Sequence, residues 1–266
     1  MNNLAHIFTS LLLELEQLNA SKDDCSIIYW ASPVPYFGKL LESKVATLGI
    51  NPSNIEFVSF EQKPLPESEE RLRTLSSLNI LGWEESTHKH LGEIIRGCDE
   101  YFETNPYMRW FSPLDQIIGE AGYSYQAGHK WASHLDMVPF ATSEKWSELN
   151  RQSKSRLLTN SQMHLARMIN ASQIEVLICN GKSVIGEVEE ISQILFTKEP
   201  QPAWNLPRKK RDVAGFSYEA KISSLGEHIL DREVHVIGYN HNIQSSFGVT
   251  KAVKERIAAW VKSKLA

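Results

Sequence analysis

The sequence predicts a single α/β domain of the three-layer α/β/α type, in which a mostly parallel sheet lies between layers of helices. Short apolar runs that end in Gly, Pro or Asn alternate along the chain with longer segments of helical periodicity. This alternation is typical of a helix-flanked parallel sheet. The length of 266 residues is also in the range of one such domain.

Each predicted element depends on its apolar pattern and on the residues that bound it. A first helix is predicted over residues 1–18, where Leu and Ile recur at helical spacing. Extended segments are predicted over residues 25–30, 45–50, 55–60, 132–138, 175–179 and 234–239. Further helices are predicted over residues 69–78, 92–102, 110–121, 149–169, 182–195 and 250–265.

The composition limits the possible environments and partners. No segment approaches the roughly 18 to 20 apolar residues of a membrane span. The N-terminus lacks the basic start and uninterrupted apolar centre of a signal peptide, so we expect a soluble, cytoplasmic protein that does not associate with a membrane. Three separated cysteines, Cys25, Cys98 and Cys179, cannot by themselves form a disulfide framework or a four-cysteine cluster. We therefore expect buried structural thiols, no metal cluster and no cofactor.

One local basic run stands out against a net charge of −4. Arg208, Lys209, Lys210 and Arg211 follow one another in a segment whose prolines indicate a loop. An acidic chain offers nucleic acid no general attraction, so any DNA contact requires a local patch such as this one. A solvated loop without a partner explains the run equally well.

Four strand-end segments carry the functional signal, because the carboxyl ends of strands in open α/β sheets are where sites form. They are residues 49–53 (Gly-Ile-Asn-Pro-Ser), 135–139 (Leu-Asp-Met-Val-Pro), 176–181 (Val-Leu-Ile-Cys-Asn-Gly) and 236–242 (Val-Ile-Gly-Tyr-Asn-His-Asn). In this order, and with Ser-Ser-Phe-Gly-Val at 245–249 before the last helix, the set resembles the uracil-DNA glycosylase superfamily. The similarity covers roughly residues 45–260, and its specificity depends on the order of the elements.

The resemblance implies a catalytic pair. Asn51 would position the water that attacks the sugar carbon, and His241 would donate to the base oxygen O2 as negative charge accumulates on the departing base. Asn51 could instead close its own loop in an Asx turn, and His241 could be an ordinary surface histidine.

Two residues depart from the uracil-specific members of that superfamily. Ser53 stands where those enzymes carry a bulky Tyr that excludes substituents at C5 of the base, so the pocket should admit a 5-substituent. Asp136 aligns with the Asn that recognises uracil, and a carboxylate accepts from the exocyclic amino group of cytosine. Together they suggest a 5-substituted cytosine, such as the hydroxymethylated or glucosylated cytosine of phage DNA. Asp136 could alternatively face away and cap a loop.

Base flipping also requires an aromatic platform and phosphate contacts. Phe57 and Phe60 are equal candidates for the platform, and Ser245 and Ser246 are small enough to let backbone amides approach phosphates. No lysine lies on the motif loops where a Schiff-base nucleophile would be needed, so we expect a monofunctional enzyme that does not cleave the strand. We also expect it to act on DNA as a monomer. An enzyme that acts on the modified cytosine of phage DNA would have an anti-phage role. The alternatives are conventional uracil excision in repair and a non-catalytic relative that binds DNA or protein.

Overall fold

The computed structural model describes residues 3–20, 25–209, 211–244 and 247–265. Its α-helices are α1 (Asn3–Ala20), α2 (Leu75–Leu78), α3 (His88–Asp99), α4 (Met108–Gly119), α5 (Arg151–Leu158), α6 (Ser161–Ala171), α7 (Lys182–Ser192) and α8 (Lys251–Leu265). Its strands are β1 (Tyr36–Phe37), β2 (Val45–Gly49), β3 (Tyr123–Ser124), β4 (Lys130–Asp136), β5 (Val176–Asn180), β6 (Thr197–Pro200), β7 (Phe216–Leu225) and β8 (His228–Tyr239).

The chain forms two compact units, each assembled from separate chain segments. Unit 1 comprises Met1–Leu40, Ile50–Tyr107 and Leu135–Ala171, and unit 2 comprises Leu41–Gly49, Met108–His134 and Ser172–Ala266. The boundary therefore passes through β4. That the chain acts as one domain stays a prediction.

Unit 2 contains most of the sheet, in the order β4-β2-β5-β8-β7-β6, with β3 paired to β4. The pairs β2–β5, β5–β8 and β3–β4 are parallel, whereas β6 and β7 extend the sheet in antiparallel fashion. Leu177 to Asn180 of β5 are all buried. Because neighbouring side chains of a strand point to opposite faces, β5 is covered on both faces, as expected for the middle layer of an α/β/α fold.

Helices α7 and α8 cover the sheet of unit 2 because each presents an apolar face. Helix α7 packs against β5, β7 and β8, whereas α8 packs against β8 and against α4. The buried side chains of α8 are Val253, Ile257, Ala258 and Val261, at the spacing of one helical face. The apolar periodicity of residues 250–265 thus correctly predicted the last helix.

In unit 1, α1 packs against α3 and α6. Its buried residues Leu4, Phe8, Leu11 and Leu15 recur every three or four positions. The end of β4 also belongs to this unit, and the backbone N–H of Asp136 donates to the carbonyl of Pro35 (3.2 Å). This bond places Asp136 beside the segment that leads into β1.

The predicted fold class is confirmed, and the three cysteines are buried as expected. Several predicted elements are wrong. Residues 25–30 make only an isolated bridge at Ile27. Residues 55–60 form no strand: the first two belong to a short 3₁₀ helix (Asn54–Glu56), and Val58 makes an isolated bridge. Residues 69–78 are α-helical only in α2. The helix predicted over residues 149–169 is divided into α5 and α6.

Strands β6 and β7 were not predicted from the sequence. Strands β7 and β8 form a hairpin whose loop is Gly226 and Glu227, since Leu225 pairs with His228. Gly226 has φ +57°, which a two-residue hairpin loop requires and which glycine adopts without strain. The basic run at 208–211 precedes β7, which lies between this run and the last strand in the chain.

Candidate functional site

Asn51 follows β2 in the chain and belongs to unit 1. Its Nδ2 donates to the carbonyl oxygens of Pro52 (3.2 Å) and Phe140 (3.5 Å) and to Oγ1 of Thr142 (3.1 Å). Carbonyl oxygens only accept, so these contacts fix the orientation of the amide. Within the described residues no group donates to Oδ1, so Asn51 does not form the Asx turn. The amide thus presents a free acceptor in a fixed direction.

Thr142 is the residue that determines this orientation most directly. It is buried, and its hydroxyl donates to the carbonyl of Glu144 (2.7 Å), so its oxygen can only accept from Asn51. The backbone N–H of Val138 also donates to the carbonyl of Ile50 (2.8 Å). The segment after β4 therefore holds the Asn51 loop through backbone and side chain. Sequence reasoning missed Thr142 because it lies 91 positions from Asn51.

Ser53 has a structural task in the same loop. Its side chain is the N-cap of the 3₁₀ helix Asn54–Glu56 and accepts from the backbone N–H of Ile55 (3.3 Å). The residue is partly exposed. Whether its small size admits a 5-substituent stays a prediction, and any substitution there also changes the cap.

Glu56 is a buried carboxyl that the sequence analysis did not select. It is 2% exposed, and its Oε2 accepts from the hydroxyl of Tyr101 (2.5 Å), which itself accepts from the N–H of Tyr107 (2.8 Å). Burial raises the pKa of Glu56 to about 7, against the Tyr101 hydrogen bond and the positive charge of Arg71, and the negative charge of Asp136 raises it further. Glu56 therefore exchanges its proton near neutral pH.

Asp136 ends β4 and is 5% exposed. Its charge acts on Glu56, so two acidic side chains of unit 1, one predicted and one missed, influence one another electrostatically. A buried pair of carboxyl groups offers acceptors to an amino group and, when one of them carries a proton, a donor as well. That Asp136 recognises a base stays a prediction.

A cavity of about 440 Å³ lies in unit 1, and Glu56 and Phe57 are among its lining residues. The ring of Phe57 meets that of Trp30 edge to face, with 6.2 Å between the ring centroids. Phe57 is buried, whereas Phe60 is 74% exposed and does not belong to the lining that the described residues form. The two candidates for the aromatic platform thus differ in environment: Phe57 forms part of a cavity wall, and Phe60 is free to contact a partner.

His241 lies in unit 2 and is 2% exposed, so it is not a surface loop histidine. Its Nε2 donates to the carbonyl of Trp204 (2.8 Å), which fixes the proton on that nitrogen in the neutral ring. Burial lowers the pKa of His241, with a further lowering from the positive charge of Arg208, while the Trp204 carbonyl acts in the opposite direction. The neutral imidazole is therefore favoured at neutral pH.

The loop that carries His241 is fastened to the end of β5. The Oδ1 of Asn180 accepts from the N–H of Ile243 (3.1 Å), and its Nδ2 donates to Oε1 of Gln244 (2.7 Å). Gly181 has φ +100°, and a Cβ there would lie 3.3 Å from the backbone nitrogen of Asn242. The strand-end pair Asn180-Gly181, selected from the sequence without a role, positions the histidine loop.

The predicted DNA-contacting residues differ in how far they are engaged. A guanidinium nitrogen of Arg208 donates to the carbonyl of Phe247, and the guanidinium lies over the Phe247 ring, 4.7 Å from its centroid. Lys209 and Arg211 are exposed. Lys210, Ser245 and Ser246 lie outside the described residues.

Comparisons with other proteins add no family assignment. No protein-family model matches the chain, and no curated protein matches it. In the part of the chain that the structure describes, no helix is long and apolar enough to cross a membrane. Over the same residues, no group of three or more His, Cys, Asp or Glu side chains is arranged to hold a metal ion.

Proposed function

We propose that this protein is a monofunctional DNA glycosylase that hydrolyses the N-glycosidic bond of a flipped-out base, with a 5-substituted cytosine as its substrate. The observation that carries the proposal is the fixed amide of Asn51, whose Nδ2 is held by three acceptors while Oδ1 is left to accept from a water. The resemblance of the four strand-end segments to the uracil-DNA glycosylase superfamily supplies the reaction class.

The proposed role of Asn51 is positional. In the hydrolysis the bond between C1′ and the base nitrogen breaks, its electron pair leaves with the base, and the water oxygen bonds to C1′ and releases a proton to solvent. An amide is too weak a base to take that proton early, but its Oδ1 can hold the water through one O–H. The rate then depends on a well-placed water and on stabilisation of the departing base.

His241 is proposed to supply part of that stabilisation as a neutral donor. The lowered pKa favours the neutral ring, whose single N–H is at Nε2. That N–H now donates to the Trp204 carbonyl, so the proposed role requires it to exchange this acceptor for the base oxygen when the base enters. A donor aimed at developing negative charge contributes more to the transition state than to the ground state.

Base selection is assigned to Ser53 and Asp136. The small side chain of Ser53 leaves room at C5, and the Asp136 carboxylate accepts from the exocyclic amino group of cytosine. The negative charge of Asp136 acts on Glu56, whose raised pKa of about 7 lets it hold a proton near neutral pH. A proton held on this side of the base favours the departure of cytosine, which is a poor leaving group.

Contact with DNA is assigned to the basic run before β7. Lys209 and Arg211 are exposed and available to phosphates, whereas Arg208 is partly engaged with Phe247. In a chain with a net charge of −4, these few cations should account for most of the salt dependence of binding. We expect the protein to act as a monomer in the cytoplasm.

The proposal is tested by measuring abasic-site formation, detected by alkaline strand cleavage, in matched oligonucleotides. The target positions are uracil, cytosine, 5-hydroxymethylcytosine and glucosylated 5-hydroxymethylcytosine, in single and double strands. We expect cleavage at the 5-substituted cytosines, and a loss of at least about 100-fold in Asn51→Ala and His241→Ala.

The result also separates the alternatives. Cleavage at uracil alone would assign the protein to conventional uracil excision and reject the role of Asp136. Tight DNA binding without any cleavage would make it a non-catalytic relative. Circular dichroism of both variants shows whether a loss of activity is a loss of folding.

A further inference from the structure

The cavity of unit 1 has lining residues besides Glu56 and Phe57 to which the glycosylase proposal gives no role. Its volume is about 440 Å³, within the range of small-molecule sites. Trp30, Phe57 and Leu72 provide apolar walls, and Trp30 is partly exposed. Thr74 and Ser76 add hydroxyl groups. The cavity thus combines a flat apolar wall with several hydrogen-bonding groups.

Glu56 gives the cavity an unused polar atom. The residue lines the cavity and is 2% exposed, and its Oε2 is engaged by Tyr101. Within the described residues no group donates to Oε1. Oε1 is not among the fully enclosed side-chain atoms that lack a partner, so it stays accessible and can accept a hydrogen bond from a ligand in the cavity.

The charge of the lining restricts the ligand. Glu56, Glu67 and Glu70 contribute carboxyl groups, and none of the described residues that line the cavity is Lys or Arg. Arg73 pairs with Glu70 from outside the lining, with 2.6 Å between the bonded atoms, and the positive charge of Arg71 acts on Glu56, whereas Glu67 makes no ion pair among the described residues. Phosphate and carboxylate ligands are therefore repelled, whereas ligands rich in hydroxyl donors are favoured.

The hydroxyl groups of the lining complete this pattern. Oγ1 of Thr74 accepts from the backbone N–H of Ser77 (3.1 Å), so its O–H remains to donate. Ser76 is exposed at the edge of the cavity. Donors and acceptors of this kind match the alternating O–H groups of a sugar ring, and its C–H face matches the Trp30 ring.

We propose that this cavity is a binding site for a neutral, hydroxyl-rich six-membered ring, namely a hexose. Glu56 and Glu67 accept from its hydroxyls, Thr74 and Ser76 bond to it at the edge, and Trp30 packs against its C–H face. The site stands on the lining alone. If the cavity serves the proposed glycosylase, the hexose is the substituent at C5 of the cytosine. Only this last point rests on the proposed function.

The test uses the full chain and a free sugar, so that it does not depend on glycosylase activity. Methyl α-D-glucopyranoside and its β anomer are titrated by saturation-transfer NMR and calorimetry. We expect saturable binding of at least one anomer. Measured at a pH above the raised pKa of Glu56, Glu56→Gln should weaken it by at least about tenfold, since a hydrogen bond to a charged acceptor is lost. Glu61→Gln, at an exposed glutamate outside the lining, should leave it unchanged.

Two ligand controls test the chemistry of the site. Glucose 6-phosphate should bind at least about tenfold more weakly than the glucoside, because its charge meets the carboxyl groups. A small organic cation such as ethylammonium should bind more weakly than the glucoside. Tighter binding of the cation would overturn the hexose assignment in favour of a cation site, and the absence of saturable glucoside binding would overturn the proposal altogether.

Glu56→Gln could lose binding because it folds poorly, so a second variant tests the cavity without changing a buried residue. Ser76→Tyr places a large ring at the edge of the cavity without removing a buried group, and it should abolish glucoside binding while thermal unfolding stays unchanged. Unaltered binding in Ser76→Tyr would contradict the proposal. A protein that binds the glucoside but releases no base supports the cavity and contradicts the glycosylase, whereas base release without sugar binding contradicts the cavity alone.

Discussion

The Nδ2 of Asn51 donates to the hydroxyl oxygen of Thr142 at 3.1 Å, and the Thr142 hydroxyl donates its own hydrogen bond to the carbonyl of Glu144. The direction of both bonds is fixed, because the last acceptor cannot donate. These two hydrogen bonds fix the direction in which Oδ1 of Asn51 points. The proposed position of the attacking water thus depends on a threonine from the segment that follows β4.

Thr142→Val keeps the shape of the side chain and removes the hydroxyl. We expect it to lower kcat by about tenfold with little change in KM, because a misdirected Asn51 misplaces the water. Thr142→Ser retains the hydroxyl and should keep most of the activity. Single-turnover rates of base release measure the effect. Equal losses in both variants would show that packing of the methyl group, and not orientation of Asn51, is responsible.

Ser53→Tyr restores the bulky side chain found in uracil-specific enzymes. We expect it to reduce release of 5-substituted cytosines much more than release of unsubstituted bases, because the ring occupies the space beside C5. The substitution also removes the N-cap, at a cost of about 1 kcal/mol. Ser53→Ala loses the same cap without filling the space, so it should be destabilised similarly and keep the substrate preference. A changed preference in Ser53→Ala would contradict the steric account.

The raised pKa of Glu56 predicts how stability varies with pH. The ordinary value of 4.5 applies to the unfolded chain and a value of about 7 to the folded one. Between these values the folded state retains a proton that the unfolded state has lost, so the free energy of unfolding falls as pH rises through this range. The difference corresponds to on the order of 3 kcal/mol for a fully buried group.

Urea unfolding of the wild type and of Glu56→Gln at several pH values measures this effect. Glutamine carries no ionisable proton. In the variant, the free energy of unfolding should therefore decrease less as pH rises, because the contribution of Glu56 is absent. The exposed control Glu61→Gln should behave like the wild type. A fall of equal size in Glu56→Gln would contradict the assignment of a raised pKa to this residue.

Lys209→Ala and Arg211→Ala test the basic run. Each should weaken DNA binding without regard to sequence, and each should reduce the slope of log K against log[salt] by about 1 if the side chain contacts a phosphate. Lys89→Ala, at an exposed lysine of α3, serves as the control. Fluorescence anisotropy over a salt series measures the slopes. Slopes that match the wild type in both variants would reassign the run to a solvated loop.

The sequence was most informative where a pattern is local. The strand at Val45–Gly49, the strand at Val176–Asn180 and the last helix were predicted to within one residue at each end, because β-branched runs or helical periodicity end there at clear boundaries. The hairpin of β7 and β8 was missed, although the loop Gly226-Glu227 carries a turn signal. The residues of β7 also alternate, with Phe216, Tyr218, Ala220 and Ile222 apolar and polar residues between them, so the local signal was present and was overlooked.

The site was harder to predict because its contacts are distant in sequence. Asn51, Asp136 and His241 were selected through the resemblance, but the partners that orient Asn51 and His241 are Thr142 and the carbonyl of Trp204. Ser53 and Glu56 have the spacing of a capping box, which suggests a carboxyl at the helix start. Glu56 instead accepts a hydrogen bond from the buried Tyr101, and this contact can be seen only in the tertiary structure.

The central claim is that Asn51 positions a water for release of a 5-substituted cytosine. The most direct measurement is mass spectrometry of the free base released from a duplex with a single 5-hydroxymethylcytosine, by the wild type and by Asn51→Ala. We expect the wild type to release the intact modified base and Asn51→Ala to do so at least about 100-fold more slowly. Release at equal rates by both proteins, or no release of any modified base, would contradict the claim.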